Sequence, residues 1–154
     1  MRVTVVLVAV LLAIPARADE AMNLSGMTCL GVVIEDLKPE AIALGMSKSS
    51  LQTQVELRLR QTGIVVGEVA ECPYVYLNAH IEQRGDLVVV GLTMDIQAWV
   101  TIKSNNRGTV AAVWNRGMLA TVGKDSFADG MRSGVSDILD ELLNDWLKAN
   151  PKRP

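Results

Sequence analysis

The chain contains a single histidine, His80. Two carboxylates stand where acid–base chemistry would need them. Glu82 lies two residues further on the same strand face, and Asp95 falls in the strand expected alongside. An imidazole held by a carboxylate is the usual general base of a hydrolase. The rest of such a centre is missing. No motif places a Ser or Cys nucleophile, and one histidine cannot build a His-rich metal site. Glu35, Asp36 and the acids of the last helix lack the regular oxygen spacing of a calcium loop and read as solvated surface. No Gly-rich loop is present to cradle phosphate. No cofactor and no metal are expected, and a hydrolase-like enzyme using His80 is the least favoured reading.

A second group of residues points to binding rather than catalysis. Tyr74, Tyr76, Asn78 and His80 alternate along one stretch, and Asp95, Gln97 and Trp99 alternate along the next. Tyr and Trp bury area while keeping a polar handle, which suits interfaces and ligand platforms. These seven residues are the candidate binding surface. It reads as a solvated sheet face, a homodimer interface or a small-ligand platform.

The elements that must carry this surface follow from period-two patterning. Val75, Leu77, Ala79 and Ile81 share one face of Tyr74–Glu82, and the residues above share the other. After Arg84-Gly85-Asp86, alternation resumes from Val88 to Ile102. This is a long antiparallel hairpin with one apolar face to be covered. Before it, Met27–Leu37 reads as a strand with the successive apolar residues Val32, Val33 and Ile34, covered on both sides. Pro39–Gly45 holds a short helical turn. A helix over Ser50–Gln61, capped by Ser47 or Ser49, stacks Leu51, Val55 and Leu59. Ile64–Ala70 is the second strand.

Beyond the hairpin, Thr109–Leu119 is the fifth strand, with Arg116-Gly117 as the expected bulge or bend. A final helix from Asp125 or Ser126 to Ala149 carries the stripe Phe127, Met131, Val135, Ile138, Leu142 and Trp146. Gly130 and Gly134 on it suggest close approach to the sheet. The fold expected is α+β: a mainly antiparallel or mixed sheet of four to five strands, two helices packed on one face, in the order β-α-β-β-β-β-α.

The first residues belong to a different category. Arg2, the apolar run Val3–Ile14, Pro15 and Ala16-Arg17-Ala18 make a secretory signal peptide over 1–18. The run is short of the roughly 20 residues that span a bilayer, so no stable membrane insertion is expected after cleavage. The remaining organisation is an arm over 19–26, flexible or lightly docked, one domain over 27–150 and a tail over 151–154. Loss of Arg2 and Arg17 takes the formal charge from -2 to -4. A mildly acidic chain without a basic patch is a poor nucleic-acid binder.

Cys29 and Cys72 both lie in the exported part, where disulfides persist. Closing a loop of about 40 residues contributes roughly 3–4 kcal/mol on a chain-entropy basis. Topology complicates the bridge. Cys29 starts the first strand, and Cys72 lies past the end of the second. Neighbouring parallel strands would hold those points apart, whereas a bridge needs the alpha carbons within about 7 Å. Three arrangements stay open: antiparallel first strands, a parallel crossover without a bridge, or Cys29 in an arm that folds back.

The segment Leu51-x-x-x-Val55-Glu56-x-x-Leu59-Arg60-x-x-Gly63-Ile64-x-Val66, then Pro73-Tyr74-x-Tyr76-Leu77, resembles small exported bacterial proteins of uncharacterised function. Trp114-x-x-Gly117 and the Asn150-Pro151 helix end extend that likeness. Residues 51–66 are also similar to periplasmic α/β modules of curli-secretion-like and flagellar accessory proteins. The resemblance implies a periplasmic or secreted module with an envelope protein as partner, and it lends no catalytic residue. The function expected is therefore non-enzymatic binding or structural support through protein–protein contacts, with small-ligand binding on the polar–aromatic face as the alternative.

Overall fold

A computed structural model describes residues 20–151. The expected signal peptide and the last three residues lie outside them. The sheet has five strands: β1 (Cys29–Ile34), β2 (Val65–Val66), β3 (Tyr74–Arg84), β4 (Leu87–Ile102) and β5 (Arg107–Gly123). Their spatial order is β2-β1-β3-β4-β5, with β1 parallel to both neighbours and the β3–β4–β5 meander antiparallel. The helices are α1 (Pro39–Ala43), α2 (Lys48–Gln61) and α3 (Phe127–Ala149). This is the expected α+β arrangement in the expected order.

Both long helices lie on one face. Ser47 caps α2, its hydroxyl accepting from Ser50 N–H at 3.2 Å. Leu51, Val55 and Leu59 are buried against β1 and β2. The α3 stripe from Phe127 to Trp146 is buried throughout, over β4 and β5. The helices touch where Gln54 donates to Arg132 O and to Ser136 Oγ, both at 2.9 Å. Close approach explains one helical glycine well. A Cβ on Gly134 would lie 2.7 Å from Met118 Sδ and 3.0 Å from Leu92 Cδ1.

The second strand corrects the expectation for 64–70. It has two residues, and the chain then leaves the sheet at Gly67, whose N–H still donates to Leu30 O at 3.1 Å. Residues 67–73 cross the other face of β1 and enter β3. They can do so because Val69 seats on Gly31, where a Cβ would meet Val69 Cγ2 at 2.9 Å. This crossing resolves the cysteine problem. Gly31 pairs with Tyr74 in parallel register, so Cys72 returns to the level of Cys29 at the start of β3. The alpha carbons stand 5.7 Å apart and the disulfide is formed. Parallel strands and a bridge coexist because the relevant neighbour is β3, not β2.

Two further expectations shift. The bulge is at Val113, not at Arg116-Gly117: Ile96 faces Trp114, while Gln97 faces Ala112. The extra residue inverts the side-chain alternation along β5. Ala112 shares the face of Gln97, whereas Trp114, Arg116 and Met118 share the helix face of Ile96, Met94 and Leu92. The strand also runs to Gly123, past the expected end at Leu119.

The N-terminal arm is docked. Glu20–Leu24 forms a 3-10 turn with Leu24 fully buried. Asn150 fastens it to the end of α3, accepting from Gly26 N–H at 2.9 Å and donating to Leu24 O at 3.0 Å.

The acids of α3 are not all solvated surface. Arg116 donates to Glu20 at 2.6 Å and to Glu141 and Asp145 at 3.1 Å, and its guanidinium lies 5.0 Å from the Trp114 ring centroid. Burial opposes its charge, but Glu20, Asp145 and Glu141 outweigh that and hold the proton more firmly than usual.

Candidate functional site

The face away from the helices carries all seven residues singled out above. Directly opposite one another stand Tyr74 and Gln97, Tyr76 and Asp95, and Asn78 and Thr93. Trp99 stands opposite Val110. Tyr74, Tyr76, Asp95, Gln97 and Trp99 therefore form one patch, with Asn78 at its border. Trp99 is 73% exposed, its indole lying over Gly108 where any Cβ would overlap it.

His80 is elsewhere. It faces Gly91, four residues along β3 from Tyr76, which is about 13 Å at strand spacing. The acid–base pairing considered for it is not assembled. Asp95 sits across from Tyr76 and is held by Asn115 Nδ2, with Gln97 Nε2 at 3.5 Å. Glu82 accepts instead from Arg84 at 2.7 Å. Among the described residues, no group of three or more His, Cys, Asp or Glu side chains is arranged to hold a metal ion. Likewise no described helix is long and apolar enough to cross a membrane.

Two polar residues of this face were not foreseen. Glu35, at the end of β1, sits beside Tyr76 and has one carboxylate oxygen, Oε2, buried without a hydrogen-bond partner. Burial of the Tyr76 phenol, then the neighbouring Glu35 carboxylate and the charge of Asp95, push its pKa above the ordinary 10.0. Asn115, the partner of Asp95, comes from β5. Its place depends on the Val113 bulge, for which the local sequence carries no signal.

The face is not wholly bare. Residues 67–73 roof it over β1, and between that roof and Trp99 lies a groove of about 400 Å³ lined by Val69, Pro73, Tyr74, Gln97, Trp99 and Val110 among others. Over β3, β4 and β5 nothing among the described residues covers it, and Leu119 there is 78% exposed.

No family model and no curated protein matches the chain. The resemblance to curli-secretion-like and flagellar accessory modules finds no counterpart there. A minor lipoprotein from Acinetobacter baumannii is a similar solved structure, at 10% identity and a TM-score of 0.41, over 84% of this chain and 99% of that one. That is a distant likeness in chain path. The Cys29–Cys72 bond fits a protein residing outside the cytoplasm, where such links persist.

Proposed function

We propose that the protein is a non-enzymatic contact module, exported to the periplasm or beyond, that pairs with a second copy of itself through the outer face of the β3–β4–β5 meander. The observation that carries this is the covering of the sheet by helices on one side alone, which leaves Trp99, Val110 and Leu119 in solvent. Three strands at about 4.8 Å spacing, over about eleven residues at about 3.3 Å, give roughly 500 Å² in plan. Side-chain relief raises the accessible area toward the ~800 Å² per partner of a stable interface. A two-fold axis would cover the same face in both copies at once.

Light scattering on the purified protein tests this. A mass of twice the chain is expected, with Trp99→Ala and Leu119→Lys each shifting it to a monomer. A monomer at about 100 μM, above the Kd of any stable dimer, would remove the proposal.

One observation favours a second reading. The groove beside Tyr74 and Trp99 has the size and mixed lining of a small-ligand site. Quenching of Trp99 fluorescence by a compound that leaves the mass unchanged would support it.

A further inference from the structure

The sheet ends at β5, which has β4 on one side and no strand among the described residues on the other. The hairpin fixes which way its backbone points. Lys124 N–H donates to Asp86 O at 3.0 Å, one step beyond the facing pair Leu87 and Gly123. Bonded and unbonded pairs alternate in an antiparallel ladder, so Val122, Ala120, Met118, Arg116 and Trp114 turn their N–H and C=O toward β4. Asn115, Gly117, Leu119, Thr121 and Gly123 turn theirs outward. Side chains gathered at the edge agree with this. Asn23 Nδ2 donates to Val113 O at 2.8 Å, Arg116 Nη1 to Asn115 O at 2.6 Å and Ser126 Oγ to Gly123 O at 3.2 Å.

Those contacts bracket a gap. Among the described residues, no hydrogen bond reaches the outward N–H and C=O groups of Gly117, Leu119 and Thr121, and all three residues are exposed. Sheet edges are usually blunted by a lysine, a proline or a bulge. Here the bulge lies at Val113, outside the gap. The stretch 117–121 reads Gly, Met, Leu, Ala, Thr, with no charge and no proline.

We infer that this stretch pairs with the same stretch of a second copy, antiparallel about a two-fold axis at Leu119, so that two sheets run on as one. The symmetry of the gap selects the occupant. The capped carbonyls of Asn115 and Gly123 lie four residues to either side of Leu119. Turned about that residue, Leu119 meets its own counterpart and Gly117 meets Thr121, each pair exchanging two backbone bonds. Side chains match by size as well, with Thr121 beside the bare Gly117 and Met118 beside Ala120. No charge on 117–121 is brought against its like. Such a contact is self-complementary and closes with two copies. It goes beyond the outer-face pairing and uses other atoms, the backbone of the edge rather than Trp99 and its neighbours.

A ladder this short buries less than a standard interface, so pairing is expected near roughly 1 mM. The test uses Trp99→Ala, which the outer-face reading makes a monomer. Light scattering from about 50 μM to about 2 mM should show its mass rise toward two chains and stop there. The Leu119 N–H should exchange about twofold more slowly at the high end, as a ladder bond forms. In a mixture of labelled and unlabelled chains, an intermolecular contact should join the alpha protons of Met118 and Ala120, which face each other in an unbonded pair. Adding Thr121→Pro removes one outward N–H and leaves the bonds to β4 in place. That protein should keep its thermal midpoint within a few degrees and stay at one chain throughout. Should it not fold, Leu119→Lys in the same background sets two ammonium groups face to face on the axis and should also stay at one chain.

The inference is overturned if Trp99→Ala keeps the mass of one chain at the highest concentration, or if its mass passes two chains without limit, as an unguarded edge that aggregates would. Association that survives Thr121→Pro in a folded protein would also overturn it, as would alpha-proton contacts in another register. So would an unrelated valine–threonine peptide that slows Leu119 exchange as strongly as the protein itself does. The outer-face proposal is judged on the unsubstituted chain at about 100 μM, so either can fail alone.

Discussion

Trp114 and Arg116 grip the same carboxylate oxygen: the indole N–H donates to Asp145 Oδ2 at 3.0 Å and the guanidinium reaches it at 3.1 Å. Both side chains sit on the helix face only because Val113 is an extra residue in β5. The bulge thus converts an edge strand into an anchor for the end of α3 and for the docked arm through Glu20. Replacing Arg116 by Met should leave two carboxylates partly buried and unmatched. A loss of roughly 2–3 kcal/mol is expected in urea unfolding, with a smaller loss for Glu141→Gln, whose side chain is 61% exposed. Equal losses for the two would refute the anchoring role.

Gly134→Ala sets two effects against each other. Alanine gains about 1 kcal/mol of helix propensity. Its methyl would meet Met118 Sδ at 2.7 Å and Leu92 Cδ1 at 3.0 Å, and such overpacking costs about 1–3 kcal/mol. Net destabilisation of about 1 kcal/mol is expected by thermal unfolding. Gly130→Ala meets Val122 Cγ1 at 3.2 Å and should come out close to neutral. A stabilised Gly134→Ala protein would show that the helix can ride away from the sheet.

Removing both cysteines by Cys29→Ser and Cys72→Ser should cost about 4 kcal/mol, the entropy of a closure spanning 43 residues. The same bond closes the roof 67–73 over β1. Faster amide exchange should therefore appear first in that loop and in β2, with α3 unaffected. Uniform loss of protection would mean that the roof does not open separately.

Tyr76 should impose a pH dependence at the alkaline end. The folded phenol holds its proton more tightly than the unfolded one, so its contribution to stability is whole below about pH 10 and falls as pH rises through the folded value. The near-ultraviolet phenolate signal should contain a component titrating above the ordinary 10.0, and Tyr76→Phe should delete it. Glu35→Gln should lower that component without removing it, because burial remains. An unchanged titration in Glu35→Gln would mean that the carboxylate does not contribute.

Short-range periodicity made much of this architecture legible. Val75 to Ile81 and Val88 to Ala98 alternate because a strand side chain has two directions to point, and the sheet buries one of them. The α3 stripe is buried as its spacing implied, for the same reason at a different period. The Tyr74-to-Trp99 surface followed as the complement of that pattern.

Tertiary structure decided what local pattern cannot encode. Whether Cys29 meets Cys72 depended on which strand returns beside β1, and that turned on Val69 packing on Gly31, 38 residues apart in the chain. The Val113 bulge chose the face for Trp114 and Arg116, and no single residue type demands a bulge there. Asp95 took Asn115 as partner rather than His80, because register along β3 and β4 is set by the whole hairpin and not by the charges it carries. Spacing along the chain determines which side of an element a residue occupies. Which residues then share that side is settled by the sum of many weak burial contacts between elements, and that sum exists only once the sheet has closed.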